Sequence, residues 1–318
     1  MNTVFPLHLL PDNVRLLVIR NFDHFHLIFF SLISRKSKAL VQSFNVKIEN
    51  LTVWVTGSLN ICIGEFGMKF SIYQNYTRES VRKLKSLDAV ANYVSVRAAM
   101  NERSVALEWR NLQLSFNEWF QHLRSLFKFK NDQIIFNVEH EIYDTIALQN
   151  LLPHWRFLEI HQGSDDYVRR IFNVFCPCVE HIETVSMRIL REFPQKVSIQ
   201  NLDSISISNS SILDDALVYN AVNITLNDFT VSDVNRFLKS WVRGANPRMK
   251  SASIWVVGSP NRLLKGIIHQ AEPADPDQEW DEHGPMIESI TIRSKKGIPA
   301  TLISDRYFNW TIEMSVGN

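Results

Sequence analysis

Cysteine is scarce in this sequence. There are three, Cys62, Cys176 and Cys178, an odd number that builds no disulfide framework and fits a reducing compartment. Cys176-Pro177-Cys178 beside His181 falls short of the four ligands a structural zinc takes, and it lacks the two-residue spacer of thioredoxin-type sites. Buried thiols at a helix end are expected there, with no metal. None of the three has the basic or helix-N-terminal surroundings that would activate a thiolate. Glycine is also sparse, at 10 residues, and there is no phosphate-binding glycine loop, no Gly-x-Ser-x-Gly elbow and no His-Glu-x-x-His helix. No cofactor is expected, and an enzyme becomes the minority reading. A surplus of charge is missing too: 34 basic against 33 acidic residues leave a net +1, so no nucleic acid partner is expected. The longest apolar run, Leu27 to Ile33, is far below the roughly 20 residues that span a bilayer. The opening Met1-Asn2-Thr3-Val4 carries no basic n-region, so an intracellular chain without a membrane partner is expected. The histidines are scattered, and His24 and His26, two apart on one helix, point to different faces and cannot share a metal.

What the chain does have is most concentrated at residues 5–41, an apolar, helix-patterned stretch. Asp12 can cap a helix carrying Val14, Leu17 and Val18, Asp23 one carrying Leu27, Ile28 and Leu32, and Ser34 a third carrying Leu40 and Val41. Three short helices have little interior, so much of this apolar surface should meet a partner. After Phe44 the period changes to two. Val46/Ile48, Leu51/Val53/Val55 and Met68/Phe70/Ile72 alternate with polar neighbours and predict a small antiparallel sheet over about residues 46–73. Val81, Leu84, Leu87 and Val90 suggest a helix, whereas 94–110 reads as strand or loop. Ser115 with Glu118 forms a capping box for a helix whose apolar face is Trp119, Phe120, Leu123, Leu126 and Phe127.

From there one pattern recurs, an apolar residue, any two, an apolar, any one, an apolar: Trp155/Leu158/Ile160, Ile182/Val185/Met187, Leu202/Ile205/Ile207, Ala221/Ile224/Leu226 and Met249/Ala252/Ile254, with Phe136/Val138 as a partial first copy. The copies are spaced by roughly 19 to 28 residues, close to the repeat length of leucine-rich repeats. Ile287/Ile290/Ile292 is a more distant last strand. Helix signals lie between copies: Ser164 before Val168, Ile171, Phe172 and Phe175, and Ser232 before Val234, Phe237, Leu238, Trp241 and Val242, with Gly244 placed to end the second. Strand then helix, repeated, predicts a curved α/β solenoid. Strand alternation would then turn Asn137/Glu139, Glu159/His161, Ser186/Arg188, Ser206/Ser208, Thr225/Asn227 and Ser253/Trp255 outward. Of these, Glu139, Glu159, His161, Arg188, Ser206, Ser208, Asn227 and Trp255 are candidate target-binding residues, set against the plainer reading that short side chains suit a tightly curved sheet. The acidic segment 272–282 reads as a loop that could contact a basic substrate, since proline and a missing mid-loop glycine argue against calcium.

Several of these residues carry a resemblance. Leu10-Pro11-Asp12, then Val14, Leu17 and Val18, Leu27-Ile28, Ser31-Leu32 and Ser34-Arg35-Lys36 resemble an F-box, the adaptor-binding motif of cullin-based ubiquitin ligases. The opening Phe5-Pro6-Leu7 through Leu10-Pro11 is similar to the variant of the large F-box family expanded in nematodes. His26 and Ser37 depart from its commonest pattern, which has an acidic residue and a tryptophan there. Leu114-Ser115-Phe116-Asn117-Glu118-Trp119, Gln200-Asn201-Leu202-Asp203-Ser204, Asp233 to Trp241 and Gly244-Ala245-Asn246-Pro247-Arg248 resemble the type 2 F-box-associated domain.

The resemblance implies an F-box at 1–44, a small β sheet and connecting segment at 45–112, and a leucine-rich-repeat-like substrate-binding domain at 113–318. It implies a non-catalytic substrate receptor that docks a Skp-type adaptor of a cullin-RING ligase through Leu10, Pro11, Leu27, Ile28 and Leu32, with Leu17 and Val18 in the F-box's own core. A scaffold whose F-box-like segment packs on its own domain and recruits no ligase is the alternative.

Overall fold

The computed structural model describes residues 9–64, 68–73, 86–88, 93–100, 103–110, 113–137, 141–152, 154–184, 201–207, 220–257, 262–271, 288–305 and 310–317. The chain divides into two units, 1–132 and 133–318.

The first unit begins with three helices, α1 (Asp12–Arg20), α2 (His24–Ile33) and α3 (Arg35–Ser43). Two of the expected caps form, Asp23 accepting from the His26 N–H and Ser34 from that of Ser37. Asp12 does not cap α1. Pro11 takes the N-cap position, and Asp12 lies inside the first turn, paired with Arg15. A proline suits that place because it has no N–H to leave unsatisfied. An antiparallel meander follows, β1 (Lys47–Val55), β2 (Leu59–Ile63), β3 (Met68–Tyr73), β4 (Tyr93–Met100) and β5 (Arg103–Arg110). Leu51, Val53 and Val55 pair with Ile63, Ile61 and Leu59, and all six are buried. The strand-or-loop stretch at 94–110 is thus the β4–β5 hairpin, and Val81, Leu84 and Val90 of the suggested helix lie outside the described residues.

Next comes α4 (Phe116–Leu126), with the capping box formed by the Glu118 N–H to Ser115 Oγ (3.2 Å) and the Ser115 N–H to Glu118 Oε2 (2.7 Å). The chain then enters β6 (Lys128–Asn137), whose first half runs beside β1: the Lys128 N–H donates to the Val46 carbonyl at 2.9 Å, and Lys130 pairs with Glu49 at 2.7 Å. The unit boundary falls inside β6, downstream of the 112/113 division expected from sequence, because α4 packs on α2 and α3.

In the second unit, α5 (Thr145–Gln149), β7 (Phe157–Gln162), α6 (Asp165–Phe175), β8 (His181–Thr184), β9 (Ser204–Ile207), β10 (Asn223–Thr230), α7 (Val231–Val242) and β11 (Ser251–Val257) follow the end of β6. Strands β6 to β11 are parallel, with register shifts only at Phe136/Asn137 of β6 and between Leu226 and Phe229 of β10. Two columns of buried side chains cross them, Ile134-Leu158-Ile182-Ile205-Ile224-Ala252 and Phe136-Ile160-Thr184-Ile207-Leu226-Ile254. The register corrects two repeat assignments. Ile182, not Val185, aligns with Leu158, and Ile134, not Phe136, occupies that place in the first copy. The third copy therefore reads Val179/Ile182/Thr184, and Thr184 tolerates burial by donating its hydroxyl to the Ser206 carbonyl at 3.2 Å.

The parallel run stops at β11, where β15 (Trp310–Val316) pairs antiparallel. Next to it come β14 (Pro299–Asp305), β13 (Glu288–Arg293) and the edge strand β12 (His269–Ala271), all antiparallel. The result is a mixed α/β sheet rather than a regular leucine-rich-repeat solenoid. Helix α7 starts two residues earlier than Ser232 suggests, capped by Thr230 in a reciprocal box with Asp233. It ends at Gly244 (φ +102°), whose N–H donates to the Trp241 carbonyl at 2.8 Å.

Candidate functional site

The N-terminal helices sort their apolar side chains differently from the sequence expectation. Leu27 and Ile28, expected to face an adaptor, are buried, and Ile28 is 0% exposed. Leu17, expected in the core, is 58% exposed, while Val18 is half-buried. Part of the cause is α4. Its His122 Nε2 lies 2.9 Å from Ser31 Oγ of α2, the Gln42 side chain of α3 donates to the Ser125 carbonyl at 2.9 Å, and the Phe127 ring just past α4 meets that of His24 edge-on. Helices α3 and α4 thus both pack on α2 from within the chain. The exposed apolar set is Leu9, Val14, Leu17 and Ile33, the last 66% exposed. Val14 and Leu17 are three apart and share a face of α1. Of the remaining adaptor candidates, Pro11 is exposed and Leu10 and Leu32 are half-buried.

The α2–α4 contact has a defined proton arrangement. Ser31 Oγ is 2.6 Å from the Ile28 carbonyl, which can only accept, so the single hydroxyl proton goes there. Ser31 must then accept from His122 Nε2–H, which leaves Nδ1 bare. Burial, and secondly the charge of Lys38, lower the His122 pKa from 6.5 to about 4. Ser37, standing where many F-boxes have tryptophan, is buried with its hydroxyl 2.9 Å from that of Ser34.

In the second unit the strand row facing away from the two buried columns reads Ile135, Glu159, Glu183, Ser206, Thr225 and Ser253, continuing to Glu313. Among the predicted target-binding residues, Glu159 and Ser206 share this row, His161 Nε2 lies 2.5 Å from Glu159 Oε1, Asn227 is half-buried, and Trp255 is 49% exposed. Glu139, Arg188 and Ser208 lie outside the described residues. Gln133 donates to the other Glu159 oxygen at 2.8 Å. Sequence reasoning missed Glu183, because the third copy was placed three residues late and Ser186 was named instead. Burial first, and then the neighbouring Glu159 charge, raise the Glu183 pKa.

At the start of β8 and β9, ligand atoms of Glu180, His181 and Asp203 come within 4.8 Å of one another. Arg156 already binds Glu180 at 2.9 Å, Arg248 stands 4.0 Å from Asp203, and His181 stacks on Phe157 with Nδ1 2.7 Å from Ser204 Oγ. Burial first, then Arg156, lower the His181 pKa, so the ring stays neutral inside an ionic cluster joining successive strands. Burial chiefly pushes both Cys176 and Cys178 thiols up, and the Cys178 Sγ donates to the Phe175 carbonyl at 3.1 Å, so neither is an activated nucleophile.

Among the described residues, no helix is long and apolar enough to cross a membrane. No curated protein and no solved structure matches the chain. Two family models do, the F-box domain over residues 7–49 and the F-box associated domain over residues 193–254. The first match spans α1 to α3 and enters β1, and the second takes in β9, β10, α7 and the start of β11, so the chain is similar to an F-box domain at its start and to an F-box associated domain further on.

Proposed function

We propose that this protein is a non-catalytic substrate-recognition subunit of a Skp/cullin/F-box ubiquitin ligase, working inside the cell. The N-terminal helices dock the adaptor, and the second unit holds the target. The observation that carries this reading is the apolar side chains left open on and beside α1 and α2, namely Leu9, Val14, Leu17 and Ile33, within a matched F-box. Isolated exposed aliphatics are ordinary, but four within one 25-residue span form a partner-binding pattern once the intrachain cover by α4 has been accounted for. Leu10, Pro11 and Leu32 extend the docking set. Leu27 and Ile28 support it from beneath as packing residues. A stable adaptor interface should bury on the order of 1,200–2,000 Å².

No bond is made or broken by this chain in that role. Holding a target lysine near the charged ubiquitin carrier raises its effective concentration and leaves the chemistry to the carrier. A second reading, a scaffold that recruits no ligase, is favoured by the α4 contact, because the F-box helices already bury part of their surface against their own chain. Co-purification of a Skp-type adaptor with the wild type and with a Val14→Glu/Leu17→Glu double variant separates the two. The variant should keep its unfolding midpoint, since surface changes cost within about 0.5 kcal/mol, and should lose adaptor capture at least tenfold. Equal capture by both proteins, or none by the wild type, would reject the ligase reading.

A further inference from the structure

A cavity of about 580 Å³ opens where the end of α7 meets the segment before β12 and the end of β13. Lys239, Arg243, Arg293 and His269 line it together with Ile267 and Ile268, and among the described residues no carboxylate lines it. Its size falls within the roughly 300–1,000 Å³ typical of ligand sites. The cations come from different elements. Lys239 and Arg243 lie in the last turn and C-cap of α7, where a positive charge also suits the helix dipole. Arg293 stands at the end of a strand, and no dipole accounts for it. Among the described residues none of the three has a carboxylate partner, and the Arg293 guanidinium donates only a long 3.4 Å bond to the Gly297 carbonyl. Like charges gathered together repel one another, so the arrangement is stabilised when an anion enters.

The walls are fixed. Asn235 of α7 donates to the Leu263 and Lys265 carbonyls at 2.5 and 3.1 Å, and the Lys295 N–H donates to the Val242 carbonyl at 2.6 Å. Both loops are thereby tied to the helix. Gly266 takes φ +76°, a left-handed conformation that favours glycine, and lies beside the end of the Lys239 side chain. His269 Nδ1 lies 3.0 Å from the Ile267 carbonyl and must donate to it, leaving Nε2 available. Beside the cations, Ile268 is 94% exposed, and β12 is the edge of the unit's sheet, with no described strand on its outer side.

We infer that this cavity binds a phosphorylated, extended segment of the target protein, the phosphate held by Lys239, Arg243 and Arg293 and the peptide backbone lying along the outer edge of β12 with an apolar side chain against Ile268. Two guanidinium groups and an ammonium match a phosphate of charge near −2 better than they match one carboxylate. An open strand edge supplies backbone hydrogen bonds to an extended peptide. This assignment rests on the substrate-receptor reading for its biological meaning, but the cavity can be tested apart from it.

The test uses the full chain and immobilised degenerate peptides with a fixed central phosphoserine, beside matching libraries with serine or glutamate there, and it measures adaptor capture on the same samples. The wild type should retain the phosphoserine library at least tenfold better than either control. Arg243→Gln/Arg293→Gln should abolish that preference with the circular dichroism spectrum and adaptor capture unchanged, and Lys239→Gln should reduce it. Equal retention of serine or glutamate peptides, or a preference that survives the double variant, would overturn the assignment. Tighter binding of a short single-stranded RNA or of phosphatidylserine vesicles than of the phosphopeptides would overturn it as well. Loss of adaptor capture by every protein with phosphopeptide binding intact would sink the ligase reading and leave the cavity assignment standing.

Discussion

Protonation of His122 should loosen the contact between the F-box helices and α4. The ring is half-buried, its Nε2–H is committed to Ser31, and its bare Nδ1 must take any further proton near Lys38. The unfolded chain accepts that proton as pH falls through about 6.5, whereas the folded chain resists until about 4. Between those values the unfolded state binds more protons, so the free energy of unfolding falls as pH falls across this window and levels off below it. The whole shift would correspond to about 3 kcal/mol. Partial exposure allows solvent to screen the charge, which brings the expectation to about 1–2 kcal/mol. His122→Gln keeps a donor for Ser31 and cannot titrate. Denaturant unfolding of the first unit at about pH 7.5 and about pH 4 should therefore show the wild type losing about 1–2 kcal/mol more than the variant. Identical losses, or an NMR titration placing the His122 ring near its unperturbed value, would refute the proton arrangement.

Other substitutions separate packing from docking. Leu27→Ala removes a buried side chain of α2 and should cost about 2–5 kcal/mol of stability by denaturant unfolding. If it instead weakened adaptor capture with stability intact, the assignment of Leu27 to the interior would be wrong. Phe237→Ala on the buried face of α7 should cost about 3–5 kcal/mol. A loss within about 0.5 kcal/mol would mean that α7 is not held by this packing.

The sequence alone determined the local elements wherever one short-range signal settled them. The capping box of Ser115 and Glu118, the caps at Asp23 and Ser34, the alternation in β1 and the stop at Gly244 each depend on a few neighbouring residues, and each is found as read. The parallel order of the repeat strands was also legible, because inward apolar pairs recur at similar spacing. Register was less legible where a polar residue holds a core place. Thr184 satisfies its hydroxyl on the neighbouring strand, so it breaks the apolar pattern without breaking the column, and the sequence reading slid to Val185 and past Glu183.

Tertiary structure decided what covers each apolar face. Leu17 and Ile28 are both aliphatic helix residues, and it is the tertiary packing, with α3 and α4 both against α2, that leaves one buried and the other open. The cationic cavity was decided in the same way. Lys239, Arg243 and Arg293 mean nothing in isolation along the chain, and they converge because the segment before β12 and the segment after β13 are both hydrogen-bonded to α7. Hydrophobic burial is non-directional, so composition fixes how much surface must be covered, while the contacts between distant segments choose which surface stays exposed.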